Sequence, residues 1–155
     1  MADLEPGAPA PAFTLARDDG GQVSLANFAG RKLVLYFYPK ADTPGCTQES
    51  KDFTALQKAF AAAGTDIIGV SPDPVRAQAR FKAKYDLGFA LGSDESHEML
   101  EAYGVWAQKS MYGRSYMGVE RTTFLIDPQG RIARIWRKMK VPAHAEEVLE
   151  AAKAL

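Results

Sequence analysis

Residues 32–50, KLVLYFYPKADTPGCTQES, run a strand signal straight into a helix signal, with the only cysteine of the chain at the junction. Lys32 to Tyr38 is a continuous apolar run of the length expected for a strand buried on both faces. Thr43 is a residue type suited to an N-cap, and Pro44 then falls at the first helical position, where its missing N–H costs nothing. The pattern predicts a helix from Pro44 to Ala63, with Phe53, Leu56 and Phe60 as its apolar stripe and Gly64 as the residue that ends it. Cys46 falls in the first helical turn. There the positive end of the helix dipole and unpaired backbone N–H groups favour a thiolate. A lone free cysteine is about as often a small buried hydrophobe. The strand–turn–helix setting shifts the balance towards a reactive thiol.

Outward from this stretch, FTLARDDGGQVSL reads as two short strands around a Gly-Gly turn, and the preceding PGAPAPAF as an extended arm. DIIGVS is a second buried strand, and PDPVRAQARFKAKYD a helix with Pro74 in its first turn. FALGSD is a short strand or extended piece, SHEMLEAYG a short helix, RTTFLID-PQG-RIARIWR a hairpin and PAHAEEVLEAAKAL a closing helix. The order β-α-β-α-β-β-α predicts an α/β thioredoxin-like fold: a mixed central sheet flanked by helices, with an N-terminal β-hairpin extension. At 155 residues the simplest organisation is one domain, 1–155, with residues 1–10 as the arm.

Nineteen basic and nineteen acidic side chains cancel, so no overall field would draw in nucleic acid or an anionic membrane. The basic stretch Arg134, Arg137, Lys138, Lys140 reads as a solvated strand end. No segment approaches the ~20 apolar residues of a membrane span, and MADLEPGAPAPAF lacks the charged and apolar regions of a secretory signal. One cysteine cannot close an internal disulfide, which suits a reducing, cytoplasmic compartment. No thiolate cluster is available for structural zinc, and no metal or other cofactor is expected.

A low pKa alone does not make a thiol an enzyme. Lowering a thiol pKa from about 8.5 to about 6 raises the thiolate fraction at neutral pH about 30-fold. The accompanying loss of nucleophilicity, about 13-fold, leaves a gain of only two- to threefold. Other groups must stabilise the transition state. Glu49 lies three residues after Cys46 on the same helical face. An unpaired carboxylate there would oppose the thiolate, so a cation is required. Arg121, at the start of RTTFLID, could hold Glu49 with one edge of its guanidinium and face the sulfur with the other. Spacing alone does not rank it above Arg114 or Arg131.

Pro39-x-x-x-Thr43-x-x-Cys46 has the form of the peroxiredoxin motif. With FYPKADTPGCTQES and the downstream KSMYGRSYMGVERTTFLIDPQG, the chain resembles the peroxiredoxin Q, or bacterioferritin-comigratory protein, subfamily from about Pro9 to its end. The resemblance implies a thiol-dependent peroxidase for hydrogen peroxide and organic hydroperoxides. It implies that Cys46 attacks the terminal peroxide oxygen and becomes a sulfenic acid. Pro39 then shields the sulfur, Thr43 hydrogen-bonds sulfur and peroxide, Arg121 stabilises the developing charge and Glu49 orients Arg121. Such donors aimed at developing charge supply the missing stabilisation.

Many members of the subfamily carry a resolving cysteine five residues on or in the next helix. Here Lys51 takes the first place and VRAQARFKAKY holds no cysteine. The sulfenic acid is therefore expected to be resolved by an external thiol such as thioredoxin, glutaredoxin or glutathione, in the one-Cys manner. The resemblance also implies a monomer. The competing reading is a redox sensor or relay forming mixed disulfides with a partner protein, which would react once and stop. A disulfide oxidoreductase is disfavoured because Cys46 has no Cys-x-x-Cys partner. His97 and His144 read as helix-terminus or surface residues, Trp106 and Trp136 as packing, and MYGRSYMG as a loop, either rimming the pocket or simply packed.

Overall fold

The computed structural model describes residues 4–138 and 140–155; residues 1–3 of the arm and Met139 in the basic stretch lie outside the described residues. The strand of the opening stretch, β3 (Lys32–Phe37), is central, and its alternation divides the core in two. Leu33, Leu35 and Phe37 face one cluster, and Val34, Tyr36 and the following Tyr38 face the other. All six are fully buried, as a strand covered on both faces requires.

Around it, β1 (Thr14–Arg17), β2 (Gln22–Ser24), β4 (Thr65–Ser71), β5 (Ala90–Ser93), β8 (Thr122–Ile126) and β9 (Ile132–Arg137) complete one seven-stranded sheet. Its order is β2-β1-β5-β4-β3-β8-β9. β3 pairs parallel with β4 and β4 with β5, while β8 runs antiparallel to β3 and β9 to β8. The parallel pairs are joined by helices: α1 (Pro44–Ala55) with α2 (Gln57–Ala62), and α3 (Val75–Tyr85). The N-terminal hairpin β1–β2 extends the sheet by antiparallel pairing of β1 with β5. This is the expected thioredoxin-like arrangement of a mixed sheet flanked by helices.

α1, α2, α3 and the closing α5 (His144–Ala154) cover one face through Phe53, Phe60, Phe81 and Val148. α4 (Glu98–Ala102) covers the other with Met99 and Leu100, and Ala10 and Phe13 join it from the chain's beginning. The arm crosses the β8–β9 end of the sheet, with Gly7 N–H on the Ile132 carbonyl and Ala10 N–H on the Gly130 carbonyl.

Three expectations need correction. The helix predicted over 44–63 is broken at Leu56, whose N–H bonds back to Phe53 as well as Asp52, a tightened last turn. Beside the break, the Gln57 amide donates to the Gly88 carbonyl and Gly88 N–H reaches Thr54 Oγ1, so α2 is aimed by the α3–β5 loop. Pro74 stands just before α3, at its N-cap position, instead of in its first turn. MYGRSYMG is not a loop: it is the middle of an antiparallel hairpin, β6 (Trp106–Met111) with β7 (Arg114–Val119). Tyr112 and Gly113 both have positive φ, 53° and 77°, which is the backbone of a two-residue hairpin turn.

Candidate active site

The parallel strands end at one edge of the sheet, the usual position of sites in open α/β folds. β3 delivers Tyr38 and the half-buried Pro39 into the turn that starts α1. Pro44, Gly45 and Cys46 are the first three helical residues, and Cys46 is 1% exposed.

Thr43 does occupy the N-cap position with extended backbone, but its side chain makes no cap bond. Its hydroxyl donates to the Lys40 carbonyl at 2.7 Å and closes the turn, and no bond from it to the sulfur is present. Among the described residues, the N–H groups of Gly45 and Cys46 consequently have no protein acceptor. An uncapped helix mouth of this kind presents free donors to an anion or a polar oxygen.

The geometry separates Arg121 from the other arginines. Its Nη1 donates to Glu49 Oε1 at 2.5 Å and its Nη2 to Cys46 Sγ at 3.2 Å. Arg114 is exposed on the hairpin, and Arg131 binds the Gly7 carbonyl. Burial works against the Arg121 charge, yet Glu49 and the sulfur outweigh it and hold its pKa above the ordinary value. Glu49 is 1% exposed, and its Oε2 has no partner among the described residues. Burial pushes its pKa up to about 7 against the opposing pull of Arg121.

Two further features were not anticipated. A Cβ on Gly45 would lie 3.3 Å from Arg121 Nη2, so the absent side chain makes room for the guanidinium. Glycine in a first helical turn is the sequence signal for such an approach. The second is a buried network beneath the turn. Gln78, 0% exposed, accepts from Tyr38 OH and donates to Ser71 Oγ and the Gly92 carbonyl. Ser71 Oγ donates to Asp73 Oδ2, which also receives the Ala41 N–H at 2.7 Å. The turn is thereby tied to β4, β5 and α3. Asp42, with φ of 63°, adds an outer tie by accepting from Lys84 and Tyr85.

His144 is at a helix terminus, as expected, but it is buried and not at the surface. Its ring bonds Thr123 Oγ1 at 2.9 Å and packs between Phe53 and Trp136. Burial lowers its pKa to about 4. His97 stacks on Trp106 at 4.0 Å, and Trp136 is core. Met111, Tyr112, Tyr116 and Met117 stand exposed on the β6–β7 hairpin.

The family model described as AhpC/TSA family matches residues 6–135. Peroxiredoxin Bcp of Bacillus subtilis (strain 168) is 46% identical over 150 residues, 97% of this chain and 96% of that protein. Peroxiredoxin Bcp of Escherichia coli (strain K12) is 41% identical over 96% of each chain. Among solved structures, Xanthomonas campestris peroxiredoxin Q superposes with a TM-score of 0.90 at 45% identity, covering 97% of this chain and 96% of that one. A cysteine-to-serine mutant of Xylella fastidiosa PrxQ gives 0.94 at 37% identity, covering 99% and 98%. The Xanthomonas protein has been solved as two different cysteine-to-serine mutants, so it carries at least two cysteines where this chain has one.

Proposed function

The chain belongs to the AhpC/TSA family, in its peroxiredoxin Q (Bcp) branch, and from that premise we propose a one-Cys mechanism centred on Cys46. It is a peroxiredoxin, a thiol peroxidase that uses a peroxide substrate and a thiol reductant. The whole chain, 1–155, acts as one domain, as a monomer in the cytoplasm. None of its described helices is long and apolar enough to cross a membrane.

The Cys46 thiolate attacks the terminal oxygen of ROOH. The S–O bond forms as the O–O bond breaks, and the alkoxide or hydroxide leaves with a proton as alcohol or water. Cys46 is left as a sulfenic acid. Arg121 carries charge stabilisation through the edge it turns to the sulfur. Glu49 is the positioning residue that holds the other edge. The Thr43 hydroxyl gives its hydrogen to Lys40, so its lone pairs accept the peroxide O–H and orient the substrate. The free Gly45 and Cys46 N–H groups favour the negative charge, and Pro39 shields the sulfur from further oxidation. An external thiol then forms a mixed disulfide with release of water, and a second thiol restores Cys46.

The observation that carries this reading is the two-edged placement of Arg121, on Cys46 Sγ at 3.2 Å and on Glu49. The test is rapid mixing of reduced protein with hydrogen peroxide, a thiol-blocking quench and intact mass. Sulfenic acid is expected to form orders of magnitude faster than on free cysteine, with a loss of about 10²–10³ in Arg121→Ala. A rate like that of free cysteine would remove the peroxidase mechanism for hydrogen peroxide.

A further inference from the structure

Between the catalytic turn and α3 lies an open groove of about 530 Å³. Residues 40–42 line it from the turn, and Arg80, Phe81 and Lys84 line it from α3. Its volume falls in the range of small-molecule sites. Ala41 and Phe81 belong to the same apolar cluster that seats Cys46. The groove therefore shares a wall with the turn that carries Thr43 and the thiol.

The charges lining it are unequally committed. Asp73 is occupied by the Ala41 N–H and Ser71, and Asp42 by Lys84 and Tyr85. Among the described residues, neither Lys40 nor Arg80 has a carboxylate partner. Both are exposed. The free charge of the groove is thus positive, set beside a buried aromatic ring.

Resting on the peroxidase reading above, we propose that this groove is the docking site of the reducing substrate, a low-molecular-weight thiol that carries free carboxylates. Lys40 and Arg80 receive the carboxylates, and the thiol reaches along the turn to oxidised Cys46. Cys46 is only 1% exposed at the mouth of its helix, which favours a slender thiol over a bulky one. A thiol mounted on a protein surface would need α1 to unwind first. The chemistry balances: RSH and the Cys46 sulfenic acid give the mixed disulfide and water. A second RSH attacks the sulfur of the bound R group, releases RSSR and returns Cys46 as thiolate and a proton. The two electrons come from the two thiols.

The test uses glutathione as the anionic probe and 2-mercaptoethanol as the neutral one. Each protein is oxidised with one equivalent of hydrogen peroxide, sulfenic acid is confirmed by mass, and its decay is followed with each thiol. The readout is the ratio of the glutathione rate to the 2-mercaptoethanol rate on the same oxidised protein. In Lys40→Glu/Arg80→Glu that ratio is expected to fall about tenfold, the scale of two partly screened surface pairs. Raising ionic strength should reduce it in the wild type. Arg76→Glu, on the same helix but outside the groove, should leave it unchanged. An unchanged ratio in the double variant, or an equal fall in Arg76→Glu, overturns the docking site while leaving the peroxidase reading intact. So does a sulfenic acid that neither small thiol reduces. Failure of the wild type to form sulfenic acid at the first mixing sinks the peroxidase reading, and the groove's role with it.

Discussion

A methyl group on Gly45 would sit 3.3 Å from the Arg121 nitrogen that contacts the sulfur, so one hydrogen atom sets the room available to the guanidinium. Gly45→Ala is expected to slow sulfenic acid formation about tenfold, because displacements well under an ångström already weaken aligned transition-state contacts. Stability should move the other way. Alanine is favoured over glycine in a helix by up to about 1 kcal/mol. Slower oxidation in a protein that resists urea at least as well as the wild type would separate positioning from folding. An unchanged oxidation rate would mean that Arg121 has slack at this distance. Glycine here departs from helix propensity, and the departure belongs to the site.

At the scale of elements, the turn that bears the thiol is held mainly by its neighbours. Gln78 uses its carbonyl and both amide hydrogens on partners from β5, the end of β4 and the residue after β3. Gln78→Leu would remove three buried hydrogen bonds at once, those to the Tyr38 hydroxyl, Ser71 Oγ and the Gly92 carbonyl. The expected cost is about 3 kcal/mol, read as a shift in the urea midpoint. A loss under about 1 kcal/mol would mean that other groups replace the amide. The β6–β7 hairpin shows the opposite economy. Among the described residues it pairs only with itself, and its tip residues Met111 and Tyr112 are exposed. Its sequence therefore lacks a buried-face alternation, and Tyr112-Gly113 is not one of the Asn-Gly or Asp-Gly pairs that announce such a turn. The break at Leu56 left no signal of its own, since the anchoring group, Gly88, is 31 residues away from Gln57.

For the molecule as a whole, two buried groups shape stability against pH in opposite senses. Glu49 titrates near 7 when folded and near 4.5 when free. Between those values the folded state holds the extra proton, so its contribution is full below about 4.5 and is lost as pH rises through about 7. His144 titrates near 4 when folded and 6.5 when free. Its contribution is present above 6.5 and is lost as pH falls through about 4. Between about 4.5 and 6.5 the two slopes, each about 1.4 kcal/mol per pH unit, oppose one another. Urea unfolding across this window should show Glu49→Gln gaining stability relative to the wild type as pH rises. His144→Gln, which keeps a donor for Thr123, should lose it. Curves parallel to the wild type in both variants would show that neither group titrates between these limits.

The strand–turn–helix with the thiol at its mouth was legible in residues 32–50 because each signal there is local. The apolar run, the Pro44 start and the alternation of β3 depend on near neighbours in the chain. The order of elements carried the fold, and the peroxiredoxin motifs carried the family. The site's cation was a different matter: three arginines were possible by spacing, and only the antiparallel pairing of β3 with β8 brings Arg121 to Cys46 and Glu49, 75 and 72 residues away. The Gln78 network, the buried state of His144 and the groove beside α3 likewise join groups from separate elements. Chain periodicity reports which face a side chain occupies. Its partner across that face is decided when the elements pack, because long-range contacts leave no period in the sequence.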